Sequence, residues 1–174
     1  MDTILDWKHD IRAIPEAGLS TTREATAGER AAVAAAMELI ACGRLAARYE
    51  IKEITPGVSG RFRLTGTVDV TVTQTCVVTL EEIQCRYSAP LNVEFWPAEM
   101  LAEEREDEID PLAADREPIE EGRIDVGRIV YEELASAIDP FPRRDGAAFD
   151  WEDKVGAERM HPFAQLARLK RKED

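Results

Sequence analysis

Side chains that could carry out chemistry are few in this chain of 174 residues, and their spacing assembles no reaction centre. The only histidines, His9 and His161, lie near opposite ends of the sequence. Hydrolytic triads need a histidine between a nucleophile and an orienting carboxylate, and neither histidine has such neighbours. Glycine-rich phosphate-binding motifs are also missing from the sequence. We therefore predict a protein without catalytic residues and without a small-molecule substrate.

The three cysteines, Cys42, Cys76 and Cys85, are the residues most suggestive of a metal. A structural zinc site needs four ligands, and its thiols commonly come in C-x-x-C pairs. The position that would carry the second thiol after Cys76 is Thr79. We predict no metal site and no cofactor, with Cys42 packed as a small apolar side chain.

The net charge of −13 is concentrated in one part of the chain. Residues 99–121 carry eleven acidic residues and two arginines, whereas residues 1–98 and 122–174 have net charges of only −3 and −1. Because a chain-wide basic footprint is missing, tight autonomous binding of nucleic acid is disfavoured. The run of charge predicts an acidic mobile loop at 99–117.

No segment has the pattern of a secretory signal or a membrane span. The N-terminus lacks a basic region followed by an apolar run. The longest strongly apolar run, Ala31–Cys42, is too short to cross a bilayer and contains Glu38. These features predict a cytoplasmic protein with no membrane contact and with reduced thiols.

The first half of the chain predicts one helix followed by a sheet. Residues 4–14 are expected to form a lead-in strand, and residues 18–22 to supply turn and capping chemistry. Thr26 and Glu29 match a capping box for a helix that continues to Ile40, with Gly43 as its C-terminal cap. Period-two alternation then predicts an antiparallel meander of about four strands over residues 45–54, 61–75, 76–80 and 85–96.

The second half predicts a second helix and a separate tail. Residues 118–120 indicate a short edge strand, and residues 124–138 a helix with Asp125 as its N-cap. The predicted fold is α+β: an antiparallel sheet, with barrel-like closure as an alternative, two packed helices and a short C-terminal helix. We expect one domain over residues 1–142, a linker at 143–160 and the helix with its basic tail at 161–174.

The tail combines an apolar stripe with the only notable basic cluster. Its candidate partner-contact or RNA-contact residues are Pro162, Phe163, Leu166, Arg168, Leu169, Lys170, Arg171 and Lys172. The cations could touch phosphates or a protein partner. The alternative is a solvated helix end whose cations interact with the helix dipole.

Three blocks of sequence resemble the YceD family of large ribosomal RNA accumulation proteins, and they occur in the family's order. Residues 66–81 resemble its central block, with Gln74, Thr75, Cys76, Leu80 and Glu81 in a form similar to alphaproteobacterial members. Residues 117–140, which include Ile124 and Asp125, resemble its P-I-…-I-D-L strand and helix. Residues 161–170 resemble its N-P-F-A-x-L-x-x-L-K signature, with His161 in place of Asn.

The resemblance implies a non-enzymatic factor that supports accumulation of 23S ribosomal RNA and assembly of the large subunit by binding. The implied partner is large-subunit ribosomal RNA or a ribosomal protein, and the acidic segment could shield a basic ribosomal protein. Many relatives have C-x-x-C where this chain has Cys76 and Thr79, so no metal or redox role is carried over. The alternatives are a protein-binding adaptor without a ribosomal role and an RNA-processing enzyme.

Overall fold

The structure, a computed structural model, describes residues 4–55, 57, 60–102 and 114–148. The strands within these ranges are β1 (Lys8–Asp10), β2 (Leu19–Glu24), β3 (Ala41–Glu53), β4 (Phe62–Thr75), β5 (Glu82–Pro97), β6 (Asp115–Ile119) and β7 (Arg123–Asp125). The α-helices are α1 (Ala27–Ala36), α2 (Ala98–Ala102) and α3 (Val126–Ala137). The fold class is α+β, as predicted.

Five strands form the main sheet in the order β2-β3-β4-β5-β6, and β1 pairs with β7 in a separate ribbon. Strands β2 to β5 are an antiparallel meander, which confirms the central prediction. Strand β6 is an edge strand that overlaps the one predicted at 118–120, but its parallel pairing with β5 was not predicted. In the part of the chain that is described, β2 and β6 end the sheet on opposite sides, so closure into a barrel is not supported.

The two long strands β4 and β5 bury the faces that their alternation predicted. On β4 the inward residues from Phe62 to Gln74 are buried except Gly66, and the intervening residues are exposed or half-buried. On β5, Ala89, Leu91, Val93 and Phe95 point into the same core. β-Branched and aromatic side chains fit a sheet that is covered on one side only.

Helices α1 and α3 cover that face, and the N-terminal segment fills the space beside them. Trp7 is fully buried, and its Nε1 donates to Oε1 of Glu29 at 2.9 Å. Glu29 also accepts from the backbone N–H of Thr26 at 2.8 Å and completes the predicted capping box. One carboxylate therefore both starts α1 and holds the N-terminal segment against the core.

Two N-terminal predictions are wrong in detail. Only residues 8–10 of the predicted strand at 4–14 are extended, because a 3₁₀ turn follows at Ile11–Ala13, and they pair with β7 rather than with the main sheet. The segment at 18–22, predicted as a turn, forms most of β2. Gly18 makes the turn with φ of 91°, and the threonines after it have the branched side chains that favour a strand.

The first helix ends earlier than its composition predicts. The N–H of Leu39 donates to the carbonyl of Ala34 at 2.9 Å, and that of Glu38 to Ala35 at 3.4 Å, which is a Schellman termination with Glu38 at φ of 54°. Gly43 is therefore not the cap; it lies in β3, as does the buried Cys42. The sequence does not indicate this helix end, because the residue with the left-handed backbone conformation is glutamate rather than glycine.

Replacing Glu38 with glycine is expected to stabilise the protein by about 1 kcal/mol, because glycine adopts a left-handed conformation without steric cost. Urea unfolding of Glu38→Gly and of the matched exposed variant Glu16→Gly measures the effect. The account predicts a higher midpoint only for the first variant. An equal or lower midpoint for Glu38→Gly would contradict the strain at this helix end.

The remaining predicted elements divide between confirmed and corrected ones. Residues 76–80 do not continue the sheet as predicted but form the loop between β4 and β5. Asp125 caps α3 by accepting from the N–H of Arg128 at 3.0 Å, as predicted. Of the predicted acidic loop, residues 99–102 lie in α2 and 115–117 in β6, while 103–113 are outside the described residues. So are most of the predicted linker and all of residues 161–174.

Candidate functional site

The loop between β4 and β5 is a compact turn built by its own backbone. The N–H of Cys76 donates to the carbonyl of Glu81 at 2.8 Å, and the N–H of Leu80 donates back to the carbonyl of Cys76 at 2.9 Å. To close this turn, Leu80 adopts a left-handed conformation with φ of 59°. A branched apolar residue is costly there, and its side chain is 77% exposed.

The segment that follows α3 is fastened to this loop. The N–H of Val77 donates to the carbonyl of Pro142 at 3.0 Å, and Arg144 forms an ion pair with Glu81. Inside the contact, Nε2 of Gln74 donates to the carbonyl of Asp139 at 3.0 Å. These bonds join the end of the sheet and the end of the last described helix into one surface.

Gln74 is itself held in place by a second buried group. The hydroxyl of Tyr87 on β5 donates to Oε1 of Gln74 at 2.8 Å, so both ends of this buried amide are bonded. Burial raises the pKa of Tyr87 to about 12, which keeps the hydroxyl protonated as a donor. Gln74 therefore has a positioning role in the loop contact.

Cys76 is the centre of the same contact. Its Sγ is buried and accepts from the backbone N–H of Thr79 at 3.4 Å and from that of Arg144 at 3.3 Å. Hydrogen bonds from Thr79, through its side chain and its backbone, and from the backbone of Arg144 lower the pKa of the Cys76 thiol to about 6. The sulfur thus acts as an anionic acceptor that ties the loop to the C-terminal segment.

This thiolate makes the stability of the protein depend on pH. The pKa of Cys76 is lower in the folded chain than its usual 9. Its contribution to the free energy of unfolding is therefore complete above pH 9 and disappears as the pH falls through 6. The difference in free energy of unfolding between wild type and Cys76→Ala is therefore expected to grow from pH 6 to pH 9. Urea titrations under reducing conditions measure it.

Cys42→Ala is the matched control for that titration. Burial raises the pKa of Cys42, which is the opposite direction to the shift at Cys76, so removal of Cys42 should not reproduce the growing difference toward pH 9. If the free energies of unfolding of wild type and Cys76→Ala differ by the same amount at every pH, the loop does not stabilise a thiolate.

Around this contact the molecule exposes several large apolar side chains. Phe141 is 68% exposed, and Ile40 and Val77 are 48% and 43% exposed. Together with Leu80 they define what we call the hairpin-end surface. A cleft of about 510 Å³ opens in it, lined by Ala36, Met37, Glu38, Leu39, Ile40, Gln74, Thr75, Tyr131, Ala135, Ile138, Pro140 and Pro142. Grouped exposed apolar side chains mark a site of interaction with another molecule.

The charge around the hairpin-end surface is negative. Its rim includes five exposed acidic residues and two exposed arginines, which are Glu38, Glu81, Glu82, Asp139 and Asp145 with Arg143 and Arg144. Phosphates would be repelled by this balance. The surface is suited to a partner with apolar anchors and basic surroundings.

The structure brings together five of the predicted site residues, namely Gln74, Thr75, Cys76, Leu80 and Glu81. It separates Ile124 and Asp125 from them. Ile124 is fully buried in the core, and Asp125 caps the first turn of α3 and pairs with Lys8 at 3.7 Å. Both residues therefore have structural roles. The tail residues Pro162 to Lys172 lie outside the described residues, and their role stays a prediction.

Of the four apolar residues of the hairpin-end surface, only Leu80 was among the predicted site residues; Ile40, Val77 and Phe141 were not. Phe141 stands between two prolines after α3, a position at which the chain cannot continue the helix and exposes the ring. Ile40 was predicted as the last residue of a longer helix and is instead exposed just before β3. The one feature of the sequence that could have indicated this surface is an aromatic residue between two prolines.

The other candidate reactive groups do not join this surface. Nε2 of His9 lies 2.8 Å from the hydroxyl of Tyr49, and burial lowers the pKa of this histidine. Cys42 and Cys85 both pair with Val72 from opposite sides, so their strands are separated by β4. Two strand spacings put their Cα atoms about 10 Å apart, which is too far for a disulfide.

Two kinds of feature are absent from residues 4–55, 57, 60–102 and 114–148. Among those residues, no three His, Cys, Asp or Glu side chains are grouped closely enough to hold a metal ion. None of the helices in those ranges combines the length and apolarity that crossing a membrane requires.

Comparison with known proteins assigns the chain to a family. A search of curated proteins and a search of solved structures found no match. The family model described as "Large ribosomal RNA subunit accumulation protein YceD" matches residues 64–170, which is more than half of the chain and includes the whole loop between β4 and β5. The chain belongs to the YceD family of large ribosomal RNA subunit accumulation proteins.

Proposed function

We propose that this protein supports accumulation of 23S ribosomal RNA by binding a basic protein component of the assembling large subunit, without catalysing a reaction. The family description supports the link to large-subunit RNA. The single observation that carries the binding role is the hairpin-end surface, of whose four exposed apolar residues Val77, Leu80 and Phe141 belong to the family-matching region. We assign the protein to the cytoplasm, where ribosomes assemble, and to the alphaproteobacterial type of the family.

A protein partner fits this surface better than RNA does. Phe141 and Leu80 offer the kind of aromatic and aliphatic anchors that become buried at the centre of protein interfaces. The acidic rim attracts the lysines and arginines of a basic ribosomal protein and repels phosphates. The hypothesis that the acidic sequence at 99–117 shields such a protein belongs to the same proposal.

The two rival functions differ from the proposed one in different ways. An RNA-processing enzyme usually groups carboxylates on folded elements to hold two metals, and no such group occurs within the described ranges. An adaptor without a ribosomal role would use the same surface, but it would not sediment with ribosomal particles.

Co-sedimentation distinguishes these functions. In sucrose gradients of cell lysate, we expect the wild-type chain in fractions that contain free and precursor large subunits, and Phe141→Asp near the top of the gradient. The matched control Ala17→Asp adds the same charge at an exposed site before β2 and should sediment like the wild type. Wild-type protein absent from all particle fractions would contradict the proposed function.

A further inference from the structure

The cleft in the hairpin-end surface is an apolar recess between the ends of α1 and α3. Side chains of Met37, Leu39, Tyr131 and Ile138 are among those that line it, and its volume of about 510 Å³ is similar to that of ligand pockets. Among the described residues that line it, Glu38 is the one that carries a charge. A group that fills this cleft therefore needs an apolar body with positive charge at its edge.

The rim of the cleft is negative even after its ion pair is set aside. Glu81 pairs with Arg144, so neither charge is counted. The remaining exposed charges described above, four acids and one arginine, are Glu38, Glu82, Asp139, Asp145 and Arg143. Their sum is −3, and the carboxylate of Asp139 keeps its charge although it accepts from the N–H of Phe141.

The C-terminal tail of this chain has the complementary pattern. Phe163, Leu166 and Leu169 recur every three residues, a spacing that predicts one face of a helix. Residues 161–172 contain four cations and no acid, and the two acids that follow leave 161–174 with a net charge of +2. An apolar stripe that ends in cations matches an apolar cleft that is bordered by acids.

The chain passes the cleft shortly before it reaches this segment. Pro142 lines the cleft, and the N–H of Arg144 donates to Sγ of Cys76 at 3.3 Å, which fastens the chain beside it. The last described residue is 148, and the fourteen residues from there to position 162 can span at most about 50 Å. A tether of this length gives an effective concentration on the order of 1 mM, which favours the tail over a second copy of the chain.

The acid-rich sequence at 103–110 is a second attraction for the cations of the tail. It contains six acids and one arginine, and it joins α2 to β6 at the end of β5 that lies opposite the hairpin end. The sixteen residues of β5 span about 50 Å. Because Ile109 is its only apolar residue, this sequence matches the charge of the tail but not its apolar stripe.

We propose that residues 162–172 dock into the cleft of the hairpin-end surface in the same molecule. Phe163, Leu166 and Leu169 fill the apolar recess, and the cations of the tail lie against the acidic rim. The inference goes beyond the proposed function because it gives the surface an occupant from its own chain. One consequence rests on that function: a basic ribosomal protein has to displace the tail in order to bind.

Carbodiimide cross-linking of the full chain at low protein concentration tests the docking. The reagent joins a lysine amine to a neighbouring carboxylate as an amide, and the carbodiimide takes up the water that is lost and becomes a urea. In the monomer band, mass spectrometry should find Lys170 and Lys172 linked to Glu38, Asp139 and Asp145.

Two pairs of variants show whether the apolar contact places the tail. Leu166→Asp puts a charge into the stripe and should lower these cross-links about fivefold, whereas Gln165→Asp adds the same charge beside the stripe and should keep them. Ala135→Asp puts a charge into the cleft and should also lower them. Ser136→Asp adds that charge at the next residue of α3, which does not line the cleft, and should keep them.

Thermal melts of each variant separate loss of docking from loss of folding. Equal cross-linking in Leu166→Asp and Gln165→Asp overturns the inference, as do lysines joined mainly to the acids at 103–110. Cross-links to the rim that occur only in a dimer band also overturn it, because a second copy is then the occupant. Co-sedimentation of the wild-type chain with large-subunit particles is measured separately, so the proposed function stands if the docking fails.

Discussion

Replacing Leu80 with asparagine is expected to strengthen the fold and weaken partner binding at the same time. Leu80 holds a left-handed conformation in the loop between β4 and β5, and asparagine tolerates that conformation better. Since the side chain is mostly exposed, little packing is lost in the free protein. We expect the free energy of unfolding to rise by about 0.5–1 kcal/mol.

Binding is expected to change in the opposite direction. Burying a leucine at an interface contributes about 1.5–3 kcal/mol, which corresponds to a tenfold or larger loss of affinity when it is removed. Urea unfolding and co-sedimentation with large-subunit particles of the same Leu80→Asn sample measure the two effects. If the variant is more stable but sediments like the wild type, Leu80 does not contact the partner. A lower free energy of unfolding would contradict backbone strain at Leu80.

Two glycine-to-alanine variants test how closely the start of α3 packs against the N-terminal segment. Gly127 is the second residue of α3, and a Cβ there would overlap the backbone carbonyl of Leu5. Gly28 is the second residue of α1, and a Cβ there meets no atom within 4 Å. The same substitution at the same helical position should therefore have effects of opposite sign.

We expect Gly127→Ala to destabilise the protein by about 1–3 kcal/mol, because the helix must move away from the N-terminal segment. Gly28→Ala should stabilise it by about 0.5–1 kcal/mol through helix propensity and a less flexible unfolded chain. Chemical denaturation monitored by circular dichroism compares the two. Similar free energies for both variants would mean that Leu5 does not pack against the start of α3.

The sequence contained most of the sheet and the helix starts, because these depend on local patterns. Strands β4 and β5 follow the alternation of side chains, and Thr26 and Asp125 are capping residues recognisable by type. The end of helix α1 could not be predicted from the sequence, since the residue with the left-handed backbone conformation there is Glu38 rather than glycine. Strand β6 was expected as an edge, but its parallel pairing depends on residues distant in sequence.

The candidate site was predictable only in part for the same reason. The loop residues from Gln74 to Glu81 were found through the family resemblance, which carries no geometry. Their contact with Asp139, Pro142 and Arg144 joins positions more than sixty residues apart. No local pattern reports such a contact, so the exposure of Phe141 and the anionic state of Cys76 emerge only from the fold.

The hairpin-end surface is the basis of the mechanism in the proposed function. Its exposed apolar side chains and acidic rim suit a basic protein, which the proposed factor would hold during assembly of the large subunit. No reaction is needed for that role, which agrees with a family described by RNA accumulation.

The most direct test of the central claim is the ratio of 23S to 16S ribosomal RNA in cells depleted of this protein. The account predicts a fall in the ratio that wild type and Ala17→Asp restore, and that Phe141→Asp does not restore at equal protein level. A ratio that stays normal on depletion, or that Phe141→Asp restores fully, would contradict it.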